Sequence, residues 1–148
     1  MSKIKFSDKK LKEIAENYGL IEVYLFGSKI TGFEREGSDL DVAVRFEDGL
    51  PAIAQRGKVY GDIFADLSSI FQGEKIDLSF IEEAPLHLQF KIVSEGEMIY
   101  SKEKNQSLNF LEKIVNQYRD YKFFIDEYFQ GVLARKIWAT NQQLTKTK

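Results

Sequence analysis

The sequence contains no cysteine and only one histidine, His87, among 148 residues. The lack of cysteine excludes a disulfide framework and thiolate metal sites. A single histidine also excludes zinc sites built on several imidazoles. Because no nearby residue is placed to orient His87, we interpret it as a surface or half-buried side chain rather than a catalytic base.

The balance of charge argues against two classes of partner. Lys and Arg total 21 and Asp and Glu total 23, which gives a net charge of -2. Dedicated nucleic-acid binders usually carry a basic surplus, so we do not expect nucleic acid to be the main partner. No apolar run has the length of a membrane span, and residues 1–5 lack the apolar core of a signal peptide. These features lead us to expect a cytoplasmic protein with no membrane partner.

Strand patterns alternate with helix patterns along the chain, which is typical of a mixed α/β (α+β) sheet with helices packed on it. We expect the helices on one face of the sheet, together with a long C-terminal helix. Residues 85–94 are ambiguous, because their apolar side chains alternate as in a strand while Pro85 and Gly96 bracket them as a short helix. The predicted strands are 20–26, 39–46, 75–81 and 98–100, and the predicted helices are 7–18, one ending before Gly73, and 107–129.

Two aspartates lie two residues apart in the second predicted strand. Asp39 and Asp41 therefore share one face of the strand, and apolar side chains occupy the other. Two like charges this close destabilise a protein unless a cation neutralises them. Carboxylate oxygens are hard ligands of the kind that suit Mg²⁺ or Mn²⁺. The pair therefore indicates a candidate metal site.

The third predicted strand repeats this arrangement. Asp77 and Ser79 share one face, opposite an apolar face. If the two strands are neighbours in the sheet, Asp77 comes beside Asp39 and Asp41. Three carboxylates on one polar patch are what a two-metal phosphoryl-transfer site requires.

A glycine and a serine follow the first predicted strand. Gly27 allows a phosphate to approach the backbone closely. Ser28 supplies a hydroxyl and can begin a helical turn whose free N–H groups face an anion. The stretch is not a P-loop, because Phe33 and Glu34 occupy the positions where that motif needs Lys and then Ser or Thr.

Taken together, these motifs resemble the signature of the DNA polymerase β-like nucleotidyltransferases. The resemblance rests on Phe26-Gly27-Ser28, on residues 38–44 and on residues 75–78, and residues 84–100 are similar to the helix and short strand that usually follow. The short chain and the spacing between Gly-Ser and Asp-x-Asp are similar to those of the minimal nucleotidyltransferases, or MNT proteins. The resemblance implies a nucleotidyltransferase fold at residues 1–130, followed by an extension at 131–148 that we expect to be partly flexible.

The resemblance further implies an MntA-type antitoxin that transfers AMP from ATP to a tyrosine hydroxyl of a cognate HEPN ribonuclease toxin. By carry-over from the family, Asp39 and Asp41 would hold Mg²⁺ (or Mn²⁺) on the triphosphate. Asp77 would bind the catalytic metal and help deprotonate the acceptor hydroxyl.

The phosphate-binding residues follow from the same resemblance. Gly27 and Ser28 would hold the β- and γ-phosphates of ATP. Many relatives have Arg directly after the Gly-Ser pair, where this chain has Lys29. Lysine neutralises a phosphate but does not form a bidentate fork, so the role of Lys29 stays open.

The partner implied is a HEPN-family toxin protein, in a hetero-oligomer with this chain. Aromatic residues make up 14% of the sequence, and Phe123, Phe124 and Phe129 broaden the stripe of the C-terminal helix beyond one face. Such a surplus offers apolar anchors for docking. Two alternatives stay open: an antitoxin that acts by contact alone, and a small-molecule (antibiotic) nucleotidyltransferase, which normally needs a second domain to hold its acceptor.

Overall fold

Within residues 4–32 and 37–146, which are the residues described by this computed structural model, four strands alternate with five helices. Phe33 and Glu34, and the last two residues of the predicted extension, lie outside that part of the chain. The elements in chain order are α1 (Asp8–Tyr18), β1 (Leu20–Phe26), α2 (Ser28–Thr31), β2 (Leu40–Phe46), α3 (Ile53–Ile70), β3 (Ile76–Phe80), a 3₁₀ turn (Ile81–Glu83), α4 (Leu86–Glu95), β4 (Glu97–Ser101) and α5 (Lys104–Lys146).

The four strands form one mixed sheet in the order β3-β2-β1-β4. β1 is antiparallel to both β2 and β4, whereas β2 and β3 are parallel. The parallel pair follows from the connection, because α3 carries the chain back to the starting edge of the sheet. The second and third predicted strands are thus neighbours in the sheet, and the predicted mixed α/β fold class is confirmed.

One face of the sheet carries the larger apolar core. Ser7 caps the start of α1 by accepting a hydrogen bond from the Lys10 N–H at 3.3 Å, and Gly19 ends the helix in a left-handed conformation. The inward-facing residues of α1 and α3 then pack on alternate residues of the strands. The buried members of this core are Leu11, Ala15, Leu20, Val23, Leu25, Leu40, Val42, Val44, Phe46, Ile63, Leu67, Phe71, Ile76, Leu78 and Phe80.

The opposite face of the sheet is also covered, which corrects the expectation of helices on one face. The ambiguous segment forms helix α4, and its Ile92 packs against Tyr24 and Ala43. These two sheet residues present an apolar surface between the charged residues at each end of the strands, and this surface requires a cover. α4 therefore lies on the same face as Asp41 and Asp77.

Helix α5 is longer than the sequence pattern predicted. It runs for 43 residues, from Lys104 to Lys146, because no proline interrupts it and its one glycine, Gly131, is tolerated inside a helix. Its first half packs against α4, where the rings of Phe90 and Tyr118 stack at 4.0 Å. The expected extension is thus helical as far as residue 146.

Among these helices, none combines the length and the apolarity needed to cross a membrane, within the residues described.

Candidate active site

Asp41 and Asp77 are direct neighbours across the parallel strands β2 and β3. They are register partners in the ladder, and neighbouring strands lie about 4.8 Å apart. On its other side Asp41 is paired with Phe26, the last residue of β1. The two carboxylates therefore share one face of the sheet, beside the point where β1 ends.

Asp39 lies just outside β2, which begins at Leu40 rather than at Asp39 as the sequence pattern predicted. It still belongs to the same electrostatic group. The pKa of Asp41 is raised above its ordinary value, first by burial, then by the negative charge of Asp77 and then by that of Asp39. Lys91, on α4, acts in the opposite direction and lowers this pKa. Among the residues that the structure describes, the site therefore holds more negative charge than its neighbours neutralise.

The three aspartates do not form a ready-made metal site. Within the residues described, no three His, Cys, Asp or Glu side chains are grouped so that they could hold one ion. The chemistry of the aspartates nevertheless fits a hard divalent cation. Their carboxylates offer oxygen ligands, and a bound cation would relieve the repulsion between their negative charges. Asp41 and Asp77 are placed by register, and Asp39 is the third oxygen donor within electrostatic reach.

Gly27 brings the backbone that follows β1 against Asp41. Its φ of 87° and ψ of -164° are open almost only to glycine. A Cβ atom at this position would lie 1.9 Å from the Asp41 Oδ2 atom, well inside any allowed contact. The glycine predicted for close backbone approach is therefore required by the aspartate itself.

Ser28 is the first residue of the short helix α2. The Gly27 carbonyl accepts hydrogen bonds from the N–H groups of Ile30 and Thr31, both at 3.1 Å, which closes the turn. Ser28 is half-buried, and its hydroxyl has no hydrogen-bond partner within the part of the chain that the structure describes. Its position at a helix start beside two carboxylates leaves the hydroxyl available to a ligand.

Lys29 forms an ion pair with Glu74, in the turn that precedes β3. Both side chains are largely buried, with 16% and 24% of their surfaces exposed. The ammonium group is therefore fixed near the site but already has a carboxylate partner. Sequence reasoning placed Lys29 at the site and gave no sign of Glu74.

Three residues at or near this site were not predicted from the sequence to belong to it. Lys91 is one of two charged residues on α4, a segment that the sequence pattern left ambiguous, and Glu74 occupies an ordinary turn. Tyr60 of α3 donates a hydrogen bond to the Leu78 carbonyl at 2.9 Å, and its pKa is raised by burial and by Asp77. His87 is exposed, as expected.

Comparison with known proteins identifies the family. The sequence profile of the polymerase beta nucleotidyltransferase family matches residues 9–105, which is more than half of the chain. The chain therefore belongs to this family. No curated protein matches the sequence.

Several solved structures similar to this chain come from toxin–antitoxin complexes. A chain in the structure of a toxin–antitoxin complex with AMP-PNP matches with a TM-score of 0.63 and 20% identity, over 86% of this chain and 98% of that one. A chain of an MntA–HepT complex matches with a TM-score of 0.58 and 21% identity, over 85% and 96%. A third structure holds a tri-AMPylated Shewanella oneidensis HEPN toxin with an MNT antitoxin, and matches with a TM-score of 0.57 and 20% identity, over 85% and 95%. At these identities the comparison establishes a shared fold.

Proposed function

We propose that this chain is a protein adenylyltransferase of the antitoxin type, which transfers AMP from ATP to a tyrosine hydroxyl of a cognate HEPN-family toxin. The observation that carries the proposal is the pairing of Asp41 with Asp77 directly beside Gly27. Family membership adds the reaction class, nucleotidyl transfer. A pure binding module has no need for two adjacent carboxylates on one face of the sheet.

The residues have distinct roles in this reaction. The Gly27–Ser28 turn binds the β- and γ-phosphates through its backbone and through the Ser28 hydroxyl. The acceptor oxygen attacks the α-phosphorus of ATP, the bond from that phosphorus to the bridging oxygen breaks, and pyrophosphate leaves. Asp77 accepts the proton of the acceptor hydroxyl. Asp39, Asp41 and Asp77 would hold Mg²⁺, which supplies charge neutralisation for the phosphates.

The proposed partner is a HEPN toxin, bound in a hetero-oligomer in the cytoplasm. Support comes from the fold, which is shared with complexes whose names record MntA–HepT pairing and a tri-AMPylated HEPN toxin. Further support comes from α5, where Phe123 and Phe124 are 68% and 67% exposed. Large exposed aromatic side chains beside one another mark interaction surfaces.

Co-expression with the product of the neighbouring gene tests both the enzyme and its partner. We expect toxicity to be relieved and tyrosine peptides of the toxin to gain one or more AMP masses in mass spectrometry. The control is the Asp39→Ala/Asp41→Ala double variant, which keeps the α5 surface. If that variant relieves toxicity as well as wild type does and no mass shift appears in either case, this chain is an antitoxin that acts by contact alone, which the exposed aromatics of α5 also suit.

Replacing Ser28 with alanine tests the phosphate contact. Ser28 starts a four-residue helix and has no described hydrogen-bond partner, so the fold should lose little stability. A hydrogen bond to a charged group is worth about 1.5–3 kcal/mol, so kcat/KM for ATP should fall roughly tenfold to hundredfold. The control is Ser69→Ala, because Ser69 is an exposed helical serine on α3 that donates to the Asp66 carbonyl. Equal kinetics in the two variants would show that the Ser28 hydroxyl does not bind ATP.

A further inference from the structure

The ion pair between Lys29 and Glu74 differs from the other lysine pairs of the described residues in its burial. The side chains of Lys102 and Glu47 are 51% and 34% exposed, and the Lys12–Glu16 pair lies in open solvent. Surface pairs of that kind contribute little to stability. In the Lys29–Glu74 pair, the side chains are only 16% and 24% exposed. This pair therefore restricts the positions of both side chains.

The pair also joins the two halves of the site. Lys29 follows Ser28 on α2, and Glu74 lies three residues before Asp77 of β3. Glu74 is itself held in its turn, because its backbone N–H donates to the Phe71 carbonyl at 3.1 Å. The backbone of Glu74 is therefore fixed in its turn. Its carboxylate links the phosphate-binding turn to the segment that leads into β3, the strand that carries Asp77.

A lysine side chain has three N–H donors on its ammonium group and a long, flexible stem that loses rotamer entropy when it is fixed. One donor directed at Glu74 leaves the others free for phosphate oxygens. Since the ion pair has already restricted the stem, less freedom is lost when a phosphate binds. An arginine at this position would lose less freedom for each hydrogen bond that it forms, because its planar fork is pre-organised.

We propose that Glu74 is a positioning residue that holds the Lys29 ammonium ready for the triphosphate of ATP. The inference rests on the proposed function, and it adds a residue that contacts no substrate itself. It also gives Lys29 a role that the sequence left open. The consequence is a specific kinetic split, since Glu74 affects the capture of ATP and leaves the proton transfer at Asp77 unchanged.

The test uses three variants and one control. Glu74→Gln keeps the size of the side chain and removes its charge, Lys29→Ala removes the ammonium, and the double variant removes both. We expect Glu74→Gln to raise the Kd for AMP-PNP and the KM for ATP about tenfold, with kcat within about twofold of wild type. The double variant should bind no more weakly than Lys29→Ala alone, because Glu74 acts through Lys29. Glu47→Gln, which breaks the exposed pair with Lys102, should leave Kd unchanged.

The outcomes separate this inference from the function on which it rests. If wild type binds no AMP-PNP, the proposed function fails. If wild type binds AMP-PNP and Glu74→Gln lowers the melting temperature without changing Kd, Glu74 is structural and the inference is overturned. It is equally overturned if the effects of the two single variants on Kd simply add in the double variant.

Discussion

Asp41→Asn is expected to abolish AMP transfer while leaving the folded protein at least as stable as wild type. Asp41 is paired with Asp77 across the strands, so the change removes one of two adjacent charges. In the proposed reaction Asp41 acts through the Mg²⁺ that it would help to hold, and loss of one group that stabilises charge in a transition state commonly lowers kcat by about 100-fold to 1000-fold. We expect a loss of at least that size, measured as transfer of labelled α-phosphate from ATP.

The expected gain in stability follows from the sign of the pKa shift. Burial and the neighbouring aspartates raise the pKa of Asp41 above its ordinary value, so the folded state binds a proton more tightly than the unfolded state. The free energy of unfolding therefore falls as the pH rises from that ordinary value through the raised pKa. Asparagine does not ionise, so the variant does not lose this part of the free energy of unfolding as the pH rises. The variant should melt at a higher temperature than wild type near pH 7, and the difference should vanish in strong acid.

A magnesium titration completes this experiment. A cation that binds only the folded protein raises its melting temperature, so Mg²⁺ should stabilise wild type more than Asp41→Asn. Asp62→Asn, an exposed change on α3, is the matched control and should respond to Mg²⁺ as wild type does. Full transfer activity in Asp41→Asn would remove Asp41 from the mechanism.

The position of the carboxylates was predictable because it depends on two local patterns. The period of two residues in each strand places Asp41 and Asp77 opposite the apolar faces. The helix between the strands makes them parallel, and parallel strands that are neighbours bring both aspartates to the same face. Register is strongly fixed wherever one face is buried, so the pairing of Asp41 with Asp77 follows from the hydrophobic pattern.

Other features depend on tertiary contacts, which produce no periodic pattern in the sequence and so could not be predicted from it. The segment before Gly96 alternates like a strand, yet it forms α4 because the sheet face formed by Tyr24 and Ala43 needs a cover. The partner of Lys29 could not be read from sequence, because Glu74 is 45 residues away and ordinary in its turn. The charge of Lys91 lowers the pKa of Asp41 because α4 packs on the same face of the sheet as Asp41. The sequence pattern did not predict that packing.

Gly27→Ala adds a single methyl group to this site. We expect it to lower both stability and activity, and more strongly than a methyl group added at any other position of the site. Two costs act together. The backbone angles of Gly27 lie in a region that is almost closed to other residues, which costs on the order of 1–3 kcal/mol. In addition, the new Cβ atom would lie 1.9 Å from Asp41 Oδ2 and 3.0 Å from its Cγ atom, so the aspartate would have to move.

Displacement of Asp41 should abolish transfer, whereas strain alone should only lower the melting temperature. Gly32→Ala separates the two, because Gly32 has a similar φ of 86° but, within the described part of the chain, no atom lies within 4 Å of where its Cβ would be. We expect Gly32→Ala to lose about 1–2 kcal/mol of stability and to keep most of its activity below the melting temperature. We expect Gly27→Ala to lose activity even where circular dichroism shows it fully folded. Retained transfer by folded Gly27→Ala would mean that Asp41 has room to move without harm, and that the close approach of this turn to the carboxylate is not part of the catalytic geometry.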